Sequence, residues 1–436
     1  MKTAHRVEPA ITHFAISGAP ITCEKYGHGH INCTYQVKTD DGHAYILQRI
    51  NRYVFADPKA VMENVGAVTQ YLRERAEDPH EVLNFIPADT GVYYHIDEAG
   101  EYWRCYEFAD GICLEAPESD TDFYESAIAF GRFQEMLREF PAETLHETIP
   151  LFHNTTNRYR IFRKALQDDL AGRAAGVPDD IRFALDREQE AGTLCSLLDS
   201  GELPLRVTHN DTKLNNVLFD RRTRKALCVL DLDTVMPGSS LYDYGDSIRF
   251  GAATAAEDEK DLSKMGINLH LFQVYTAGYL AACKSLTPKE LELLPLGAKI
   301  ITLELAVRFL TDYLDGDRYF RVAYPEHNLV RARAQLEQIP GIRVMSSATD
   351  NLEVITPAAD KGVALGMLCR ELGTDLDHAA AIGDSENDLE MLNAVALPIA
   401  MGNASAAVKN LCLRETLTNA QDGVAAAIDR IIAENG

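Results

Sequence analysis

The chain has 436 residues, of which 46% are hydrophobic, and a formal net charge of -24 at pH 7. This length exceeds that of one ordinary hydrophobic core and predicts two or three compact units. The apolar content excludes an intrinsically disordered chain. The acidic excess argues against nucleic acid and anionic membranes as partners, because both require a basic surface. We therefore expect small molecules or other proteins as partners.

The first 20 residues lack the apolar core of a signal peptide, and no apolar stretch of the sequence is long enough to span a bilayer. We therefore expect a cytoplasmic location. The nine cysteines are scattered and include no C-x-x-C pair, so they predict neither a disulfide framework nor a zinc site.

A β-rich region begins the folded part of the sequence. Residues 35–37 and 44–50 have the composition of strands, and an Asp-Asp-Gly turn signal lies between them. Just before the first strand, residues 26–32 contain two glycines, which allow the backbone to approach a ligand such as a phosphate chain closely. A plain turn accounts for these glycines equally well.

The next elements are a helix and a hairpin. An apolar stripe predicts a helix over residues 58–75, and a hairpin follows over residues 92–95 and 102–106. Residues 108–111 break the strand pattern and predict a hinge between two lobes. Further helices are predicted over residues 126–138, 181–198 and 296–314.

The most informative segment is residues 207–219, where a polar cluster with the pattern H-x-D-x-x-x-x-N leads into an apolar strand. Phosphoryl transfer requires a carboxylate that orients the acceptor hydroxyl, and oxygen ligands that hold magnesium on the phosphates. Asp211 suits the first role and Asn216 the second.

A second carboxylate motif follows this segment. The apolar strand of residues 227–230 leads into Asp231 and Asp233, and a strand end holds a metal ligand rigidly. Asp231 is the predicted main magnesium ligand. Asp233 is two residues further along and would point to the same side as Asp231. There it either assists Asp231 in binding magnesium or binds only water. The alternative is a solvated polar loop beside an ordinary strand, but the two motifs in this order favour a phosphoryl-transfer site.

These motifs resemble the aminoglycoside phosphotransferase and choline kinase group, which are relatives of the protein kinases. The likeness is closest to the N-acetylhexosamine 1-kinases and covers residues 20–335. The resemblance implies an α+β, protein-kinase-like fold of two lobes, which transfers a phosphoryl group from ATP to a sugar hydroxyl. The best match is the anomeric hydroxyl of N-acetylglucosamine or N-acetylgalactosamine. Four segments carry the likeness: residues 209–216, 230–238, 241–251 and 319–333.

The resemblance also implies roles for individual residues. It implies Asp211 as the catalytic base and Asn216 and Asp231 as magnesium ligands, with Asp246 bracing their loop. The residues implied for nucleotide binding lie in the glycine loop and the hinge: Gly27, Gly29, Asn32, Tyr106 and Phe108.

One position departs from the family pattern. The family often has a strand lysine that contacts the phosphates, whereas the matching strand here, residues 45–49, has none. Arg49 would supply the charge through a fork of donors suited to phosphate, with Glu63 as its helix partner. The sequence leaves open whether Gln48 or Arg49 faces the cleft, and an exposed Arg49 is the alternative.

Candidate sugar ligands are spread along the chain. They are His30, Asn210, Asp243 and Arg308. Glu304 lies one helical turn before Arg308, so a simple helix pair explains Arg308 equally well. The sequence does not identify the acceptor sugar.

The sequence character changes near Pro340, and residues 339–341 are the predicted boundary. Short buried strands, with helices between the last three, predict an α/β layer. These strands are predicted at residues 342–344, 352–355, 379–382 and 398–401.

Within this region, residues 379–392 resemble the magnesium-binding motif of haloacid-dehalogenase-type phosphatases of the Cof-like group. Residues 360–362 and 400–404 resemble two further segments of that family, and the likeness covers residues 340–436. It implies a set of residues that binds phosphate and magnesium: Lys361, Asp384, Asn387 and Asp388.

Such phosphatases need an aspartate nucleophile in a D-x-D-G-T segment on the first strand, and no such segment lies between Pro340 and Lys361. We therefore expect an inactive, truncated fragment whose apolar sheet edge is covered by the kinase or by another copy of the chain. In a rival interpretation Asp231 is the nucleophile of a sugar-phosphate phosphatase, which leaves residues 209–216 and Asp246 unexplained. A non-catalytic nucleotide or phosphosugar sensor is the third hypothesis.

The predicted architecture therefore has three parts. Residues 1–108 form the first kinase lobe, residues 109–338 the second, and residues 339–436 a partial Rossmann-like α/β fragment. ATP and Mg²⁺ are the expected cofactors, and a small-molecule sugar is the expected partner.

Overall fold

The structure is a computed structural model, and it describes residues 9–27, 31–339, 343–348, 351–355 and 361–435. The chain divides into two compact units, Met1–Leu336 and Glu337–Gly436. Throughout the described ranges, no helix is both long and apolar enough to cross a membrane.

An antiparallel sheet of five strands opens the first unit, in the order β1-β2-β3-β5-β4. Successive side chains of each strand point to opposite faces of the sheet. Leu47 and Cys105 are cross-strand partners, both fully buried, and Ile11 and Phe14 belong to the same apolar cluster. The N-terminal segment therefore covers this face of the sheet. The strands are β1 (Pro20–Lys25), β2 (Cys33–Thr39), β3 (Ala44–Arg49), β4 (His95–Ile96) and β5 (Tyr102–Glu107).

Helix α1 (Pro58–Arg73) links this sheet to the rest of the unit. It begins where Asp57 accepts a hydrogen bond from Ala60 N, at 3.1 Å, which satisfies a free N–H of the first turn. Asn64 Nδ2 donates to Val235 O at 2.9 Å, and so ties the helix to the second half of the unit. The predicted apolar stripe is buried: Val61, Val65, Val68 and Leu72.

The second half of the unit is mainly helical, and two short antiparallel pairs, β6 with β9 and β7 with β8, lie within it. Gly245 and Gly297 allow two of its helices to approach closely, because a Cβ on Gly245 would lie 2.6 Å from Gly297 O. The strands are β6 (Arg206–Thr208), β7 (Val217–Phe219), β8 (Ala226–Val229) and β9 (Met236–Gly238). The helices are α2 (Asp120–Met136), α3 (Thr155–Asp168), α4 (Pro178–Leu185), α5 (Glu188–Ala191), α6 (Thr193–Asp199), α7 (Ser240–Gly251), α8 (Leu269–Ala282), α9 (Pro288–Leu314) and α10 (His327–Gln338).

Three predicted helices differ from those observed. The helix predicted over residues 126–138 begins earlier, at Asp120, and ends at Met136. The helix predicted over residues 181–198 is instead three short helices, and Gly192 ends the second of them. The helix predicted from residue 296 begins at Pro288, because Thr287 and Glu290 form a capping box and Pro295 is accommodated inside the helix. The predicted strand over residues 92–95 is also shorter than expected, since only His95 and Ile96 form β4.

The second unit contains a hairpin and a parallel sheet. In the hairpin, β10 (Arg343–Ala348) pairs with β11 (Asn351–Ile355) in antiparallel register. The parallel sheet has the order β12-β13-β14, and its core includes Leu392, Ala400 and Val408. Ile342, which was predicted to start a strand, lies outside the described residues. The elements are β12 (Ala380–Gly383), β13 (Leu397–Ala400), β14 (Arg414–Glu415), α11 (Lys361–Glu371), α12 (Leu389–Ala394), α13 (Ala406–Leu411) and α14 (Gly423–Asn435).

Candidate active site

The loop between β6 and β7 holds Asp211 in a fixed orientation. Asn216 Nδ2 donates to Asp211 O at 2.8 Å and to Asp211 Oδ2 at 3.0 Å. Lys213 Nζ lies 2.9 Å from Asp211 Oδ1. Both carboxylate oxygens of Asp211 therefore have a partner, and the side chain keeps partial access to solvent, with 30% exposure.

Sequence analysis missed Lys213, although it lies only two residues after Asp211 in the same motif. Burial lowers the pKa of Lys213, but the charges of Asp211 and Asp246 outweigh this effect and the pKa is raised above its ordinary value. The ammonium group is therefore charged at neutral pH. It places a cation beside the carboxylate predicted to be the base.

His209 connects this loop to the strand that precedes Asp231. Its Nε2 donates to Leu230 O at 2.8 Å, and its Nδ1 accepts from Asp211 N at 3.3 Å. The two partners together define a neutral imidazole with its proton on Nε2. His209 is fully buried, and the ring fixes the distance between the two motifs.

Asp231 lies two residues after the end of β8 and has a left-handed backbone conformation, with φ 54° and ψ 61°. Leu230 N donates to Asn216 O at 2.8 Å, which holds this turn against the Asp211 loop. Desolvation, with the charges of Asp233 and Asp211, raises the pKa of Asp231 to about 6, although part of the side chain remains open to solvent. Asp211, Asn216 and Asp231 are thus brought together.

Asp233 is not a free metal ligand, which corrects the prediction for this residue. It is 3% exposed, and its Oδ2 accepts from Asn32 Nδ2 at 2.7 Å. Its Oδ1 accepts from the buried guanidinium of Arg104 on β5. Asn32 is equally occupied, because its Oδ1 accepts from Asn51 N at 3.0 Å, so its amide binds protein groups at both ends.

The strand register shows why Arg49 is not the cation of this site. Arg49 is opposite Trp103, on the face that the N-terminal segment covers, and its Nη2 donates to Cys33 Sγ at 3.4 Å. Gln48 is opposite Arg104, and its Oε1 accepts from Arg104 Nε at 2.9 Å. The sheet therefore presents Gln48 and Arg104 to the side of Asp233.

Glu63 is likewise not the partner of Arg49. Its Oε2 lies 2.8 Å from His146 Nε2, and its Oε1 lies 3.6 Å from Lys59 Nζ. The Glu63 side chain is 45% exposed, so this cluster is on the surface of α1. The predicted Arg49–Glu63 pair is wrong.

The predicted nucleotide-binding residues lie at the edge of the same site. Tyr106 is two residues after Arg104 on β5, so both side chains lie on the same face of the sheet. Burial raises the pKa of the Tyr106 hydroxyl above its ordinary value. The Phe108 ring is 5.6 Å from the Tyr26 ring, edge to face, and Gly27 next to Tyr26 has φ 75°. The hinge and the start of the glycine loop therefore lie side by side. Gly29 and His30 fall outside the described residues.

Asp243 is a brace of the Asp211 loop and is not open to a sugar, contrary to the prediction. Its Oδ2 accepts from His209 N at 2.9 Å and its Oδ1 from Asn210 N at 2.8 Å. Gln134 Nε2 donates to the same carboxylate at 2.9 Å, and Asp243 is only 1% exposed. Asp246 makes a similar contact, accepting from Thr212 N at 3.0 Å, as the resemblance implies.

A cavity of about 240 Å³ opens beside Asn210, the neighbour of Asp211. Asn210 has φ 65°, and its Nδ2 donates to Thr234 O at 2.8 Å. Polar side chains around the cavity include Glu147, His153, Asn154, Asp199 and Tyr242. The rest of the lining is largely apolar, and the cavity lies next to the predicted base.

Arg308 takes part in a buried charge cluster beside this cavity. Its Nη1 is 3.6 Å from Glu304 Oε1, and its guanidinium lies 5.5 Å from the centre of the Phe152 ring. Glu304 Oε2 also lies 3.0 Å from His153 Nδ1. The helix pair that the sequence suggests as an alternative is therefore present. Among the described residues, the buried His153 Nε2 has no hydrogen-bond partner.

Comparison with known proteins decides the family. Residues 22–266, more than half of the chain, match the model of the phosphotransferase enzyme family. The chain belongs to this family. The match covers Asp211, Asn216 and Asp231 together with the strands that position them.

The fold of the first unit is also found in solved structures. An aminoglycoside phosphotransferase from Alicyclobacillus acidocaldarius is 12% identical, with a TM-score of 0.52 over 77% of this chain and 93% of that chain. The predicted two-lobed, kinase-like α+β fold is therefore confirmed.

Residues 318–428 of the chain match a second family, the haloacid dehalogenase-like hydrolases. "Phosphatase YwpJ" of Bacillus subtilis is 42% identical over 89 residues, which are 20% of this chain and 31% of that protein. The "HMP-PP phosphatase" of Yersinia pestis (strain Pestoides F) is 42% identical over 93 residues, 21% of this chain and 34% of that protein. The chain thus spans about a third of the length of these relatives, and the predicted likeness is confirmed.

The second unit brings its predicted phosphate- and metal-binding residues together. Lys361 forms an ion pair with Asp388, whose Oδ2 accepts from Asp384 N at 3.0 Å. Asn387 Oδ1 accepts from Ser385 Oγ at 2.8 Å. A Cβ on Gly383 would lie 2.6 Å from the Asp388 Cβ, so the strand end must be glycine for this carboxylate to pack against it.

Proposed function

We propose that this phosphotransferase transfers the γ-phosphoryl group of ATP to a sugar hydroxyl, the best candidate being the anomeric hydroxyl of an N-acetylhexosamine. The observation that carries the proposal is the convergence of Asp211, Asn216 and Asp231. Phosphoryl transfer depends mainly on positioning and on electrostatic stabilisation. An oriented base and two oxygen ligands are the parts that such a site needs.

The residues present fit a magnesium ion. Asn216 uses its Nδ2 on Asp211, so its Oδ1 is the atom left to bind a metal. Asp231 adds a carboxylate, and oxygen ligands of these two kinds are those that magnesium binds in proteins. When bound, magnesium would neutralise charge on the phosphates of ATP. Asp233 is not one of these ligands, because Asn32 and Arg104 already donate hydrogen bonds to its two carboxylate oxygens.

Asp211 acts in this proposal as the group that orients the acceptor hydroxyl and receives its proton. Asn216 and Lys213 hold the carboxylate in one orientation, which favours a defined line of approach for the hydroxyl. Lys213 also supplies positive charge beside the transferring group, where negative charge develops.

The cavity beside Asn210 is the proposed acceptor site. Its volume of about 240 Å³ and its carboxylate and amide side chains suit a small molecule rich in hydroxyl and amide groups. His153 also lies in the wall of the cavity, although its Nε2 is buried. Arg308 already pairs with Glu304. We therefore propose that Arg308 contacts the sugar as a member of this charge cluster and not as a free cation.

Coupled detection of ADP tests the proposal. The acceptor panel contains N-acetylglucosamine, N-acetylgalactosamine, an aminoglycoside, ethanolamine and a reaction without acceptor. We expect ADP release to depend on the N-acetylhexosamines. Turnover of the aminoglycoside alone would overturn the choice of substrate and leave the chemistry in place, whereas no turnover with any acceptor would count against the kinase.

We propose that the second unit does not hydrolyse phosphate esters. Lys361, Asp384 and Asp388 supply phosphate and magnesium ligands, but the sequence between Pro340 and Lys361 contains no D-x-D-G-T nucleophile. A non-catalytic role in binding a phosphosugar is the second candidate, which the intact Lys361–Asp388 pair favours. Binding of a sugar phosphate that is lost in Lys361→Met, without any hydrolysis, would support it.

A further inference from the structure

Three segments of the first unit bring two imidazoles and a carboxylate side by side, far from any predicted catalytic motif in the sequence. His13 ends the 3₁₀ segment Pro9–His13, and His95 begins β4. Asp89 N donates to His13 O at 2.8 Å. The residues next to this contact, Phe14 and Ala88, form an antiparallel bridge. The backbone therefore fixes the three positions before any ligand binds.

The side chains of His13, Asp89 and His95 form one cluster. His13 Nδ1 is 2.9 Å from Asp89 Oδ2, and the two imidazole rings are stacked, with centres 3.8 Å apart. One ligand atom from each residue lies within 4.8 Å of the other two. Tetrahedral zinc, with bonds of about 2.0–2.1 Å, places its ligand atoms roughly 3.3 Å apart. Because the two rings are parallel, both imidazoles must rotate about their side-chain bonds before a nitrogen of each can face one ion.

The donor types also suit a metal. The hydrogen bond from His13 lowers the pKa of Asp89, which keeps this carboxylate ionised at neutral pH. Two imidazoles and one carboxylate are a donor set typical of zinc and of other divalent transition ions.

We propose that His13, Asp89 and His95 bind a divalent transition-metal ion, with Zn²⁺ as the best fit. The site is separate from the proposed magnesium ligands. His95 is opposite Trp103 in the strand register, on the face covered by the N-terminal segment, whereas Arg104 and Asp233 lie on the other side. A bound ion would join Pro9–His13 to β4 and stabilise the first unit.

Isothermal titration with Zn²⁺ alone tests this site, using the full chain without a histidine tag and after EDTA treatment. We expect one ion per chain in the wild type and at least tenfold weaker binding in His13→Gln and His95→Gln. The matched control is His80→Gln, because His80 pairs with Asp78 and is not part of a three-ligand cluster in the described part of the chain. Equal affinity in wild type and His95→Gln would overturn the proposal.

Two further measurements separate loss of the site from loss of the fold. Zn²⁺ should raise the melting temperature of the wild type and of His80→Gln, and leave that of His95→Gln unchanged, since binding to the native state alone stabilises it. Co²⁺ should give ligand-field bands without thiolate charge transfer, because the site contains no cysteine. Thiolate bands, or an equal shift of the melting temperature in His95→Gln, would place the ion elsewhere and contradict the proposal.

Discussion

The buried guanidinium of Arg104 donates to the carboxylate of Asp233, two residues after Asp231. Both side chains are nearly inaccessible, with 4% and 3% exposure, and Arg104 also donates to Gln48. This pair connects the first sheet directly to the turn that holds Asp231. On this side of the sheet the cation is therefore Arg104, whereas the sequence suggested Arg49.

We expect Arg104→Met to destabilise the first unit by about 3–5 kcal/mol, because Asp233 would remain buried without a counter-charge. Urea unfolding monitored by the fluorescence of Trp103 measures the change. Arg132→Met is the matched control: Arg132 pairs with Glu81 at the surface, at 55% exposure, and its loss should cost about 1 kcal/mol or less.

A second variant tests whether charge explains this loss. Arg104→Met combined with Asp233→Leu removes both charges, and we expect it to recover a large part of the stability. A cost for Arg104→Met no greater than that for Arg132→Met would contradict the importance of the pair.

Asp243→Asn distinguishes a brace from a sugar ligand. One amide oxygen cannot accept from both His209 N and Asn210 N as the carboxylate does, so an amide N–H would face a backbone N–H. We expect a loss of about 1–3 kcal/mol in the free energy of unfolding. Turnover should fall through kcat, and the KM for the acceptor should change little. An increase in KM at unchanged stability would restore Asp243 as a sugar ligand.

The rival phosphatase interpretation makes a distinct prediction for Asp231. In the structure Asp231 lies with Asp211 and Asn216, beside His209, and we expect Asp231→Asn to lose kinase turnover. Hydrolysis of sugar phosphates, followed as release of inorganic phosphate with Mg²⁺ present, should be at background level in the wild type and in Asp211→Asn. If the wild type and Asp211→Asn both hydrolysed sugar phosphates and Asp231→Asn did not, Asp231 would be a nucleophile.

The sequence was sufficient where function depends on local spacing. Asp211 and Asn216 are five residues apart, and Asp231 follows a short apolar strand, so their proximity needs only two small strand pairs. The same holds for Lys361 and Asp388 in the second unit, whose motifs are specific enough to be recognised without a structure.

The sequence was insufficient where function depends on pairing between distant strands. The cation beside the site is Arg104 because β3 pairs with β5 in a register that places Gln48, and not Arg49, on that face. A one-residue shift would have reversed the faces. The prediction for Asp243 failed for a different reason, which is burial. An aspartate is a suitable sugar ligand by its chemistry, and only the structure shows that backbone N–H groups already donate to both of its carboxylate oxygens.

The central claim is that Asp211, Asn216 and Asp231 act together on ATP, and steady-state ADP release with N-acetylglucosamine tests it most directly. We expect Asp211→Asn to reduce kcat by about 10²–10⁴-fold, as for loss of a general base, while its melting temperature stays near that of the wild type. Asp261→Asn, at a surface residue that pairs with Lys264, should keep full turnover. An Asp211→Asn protein that is folded and releases ADP at the wild-type rate would contradict the account.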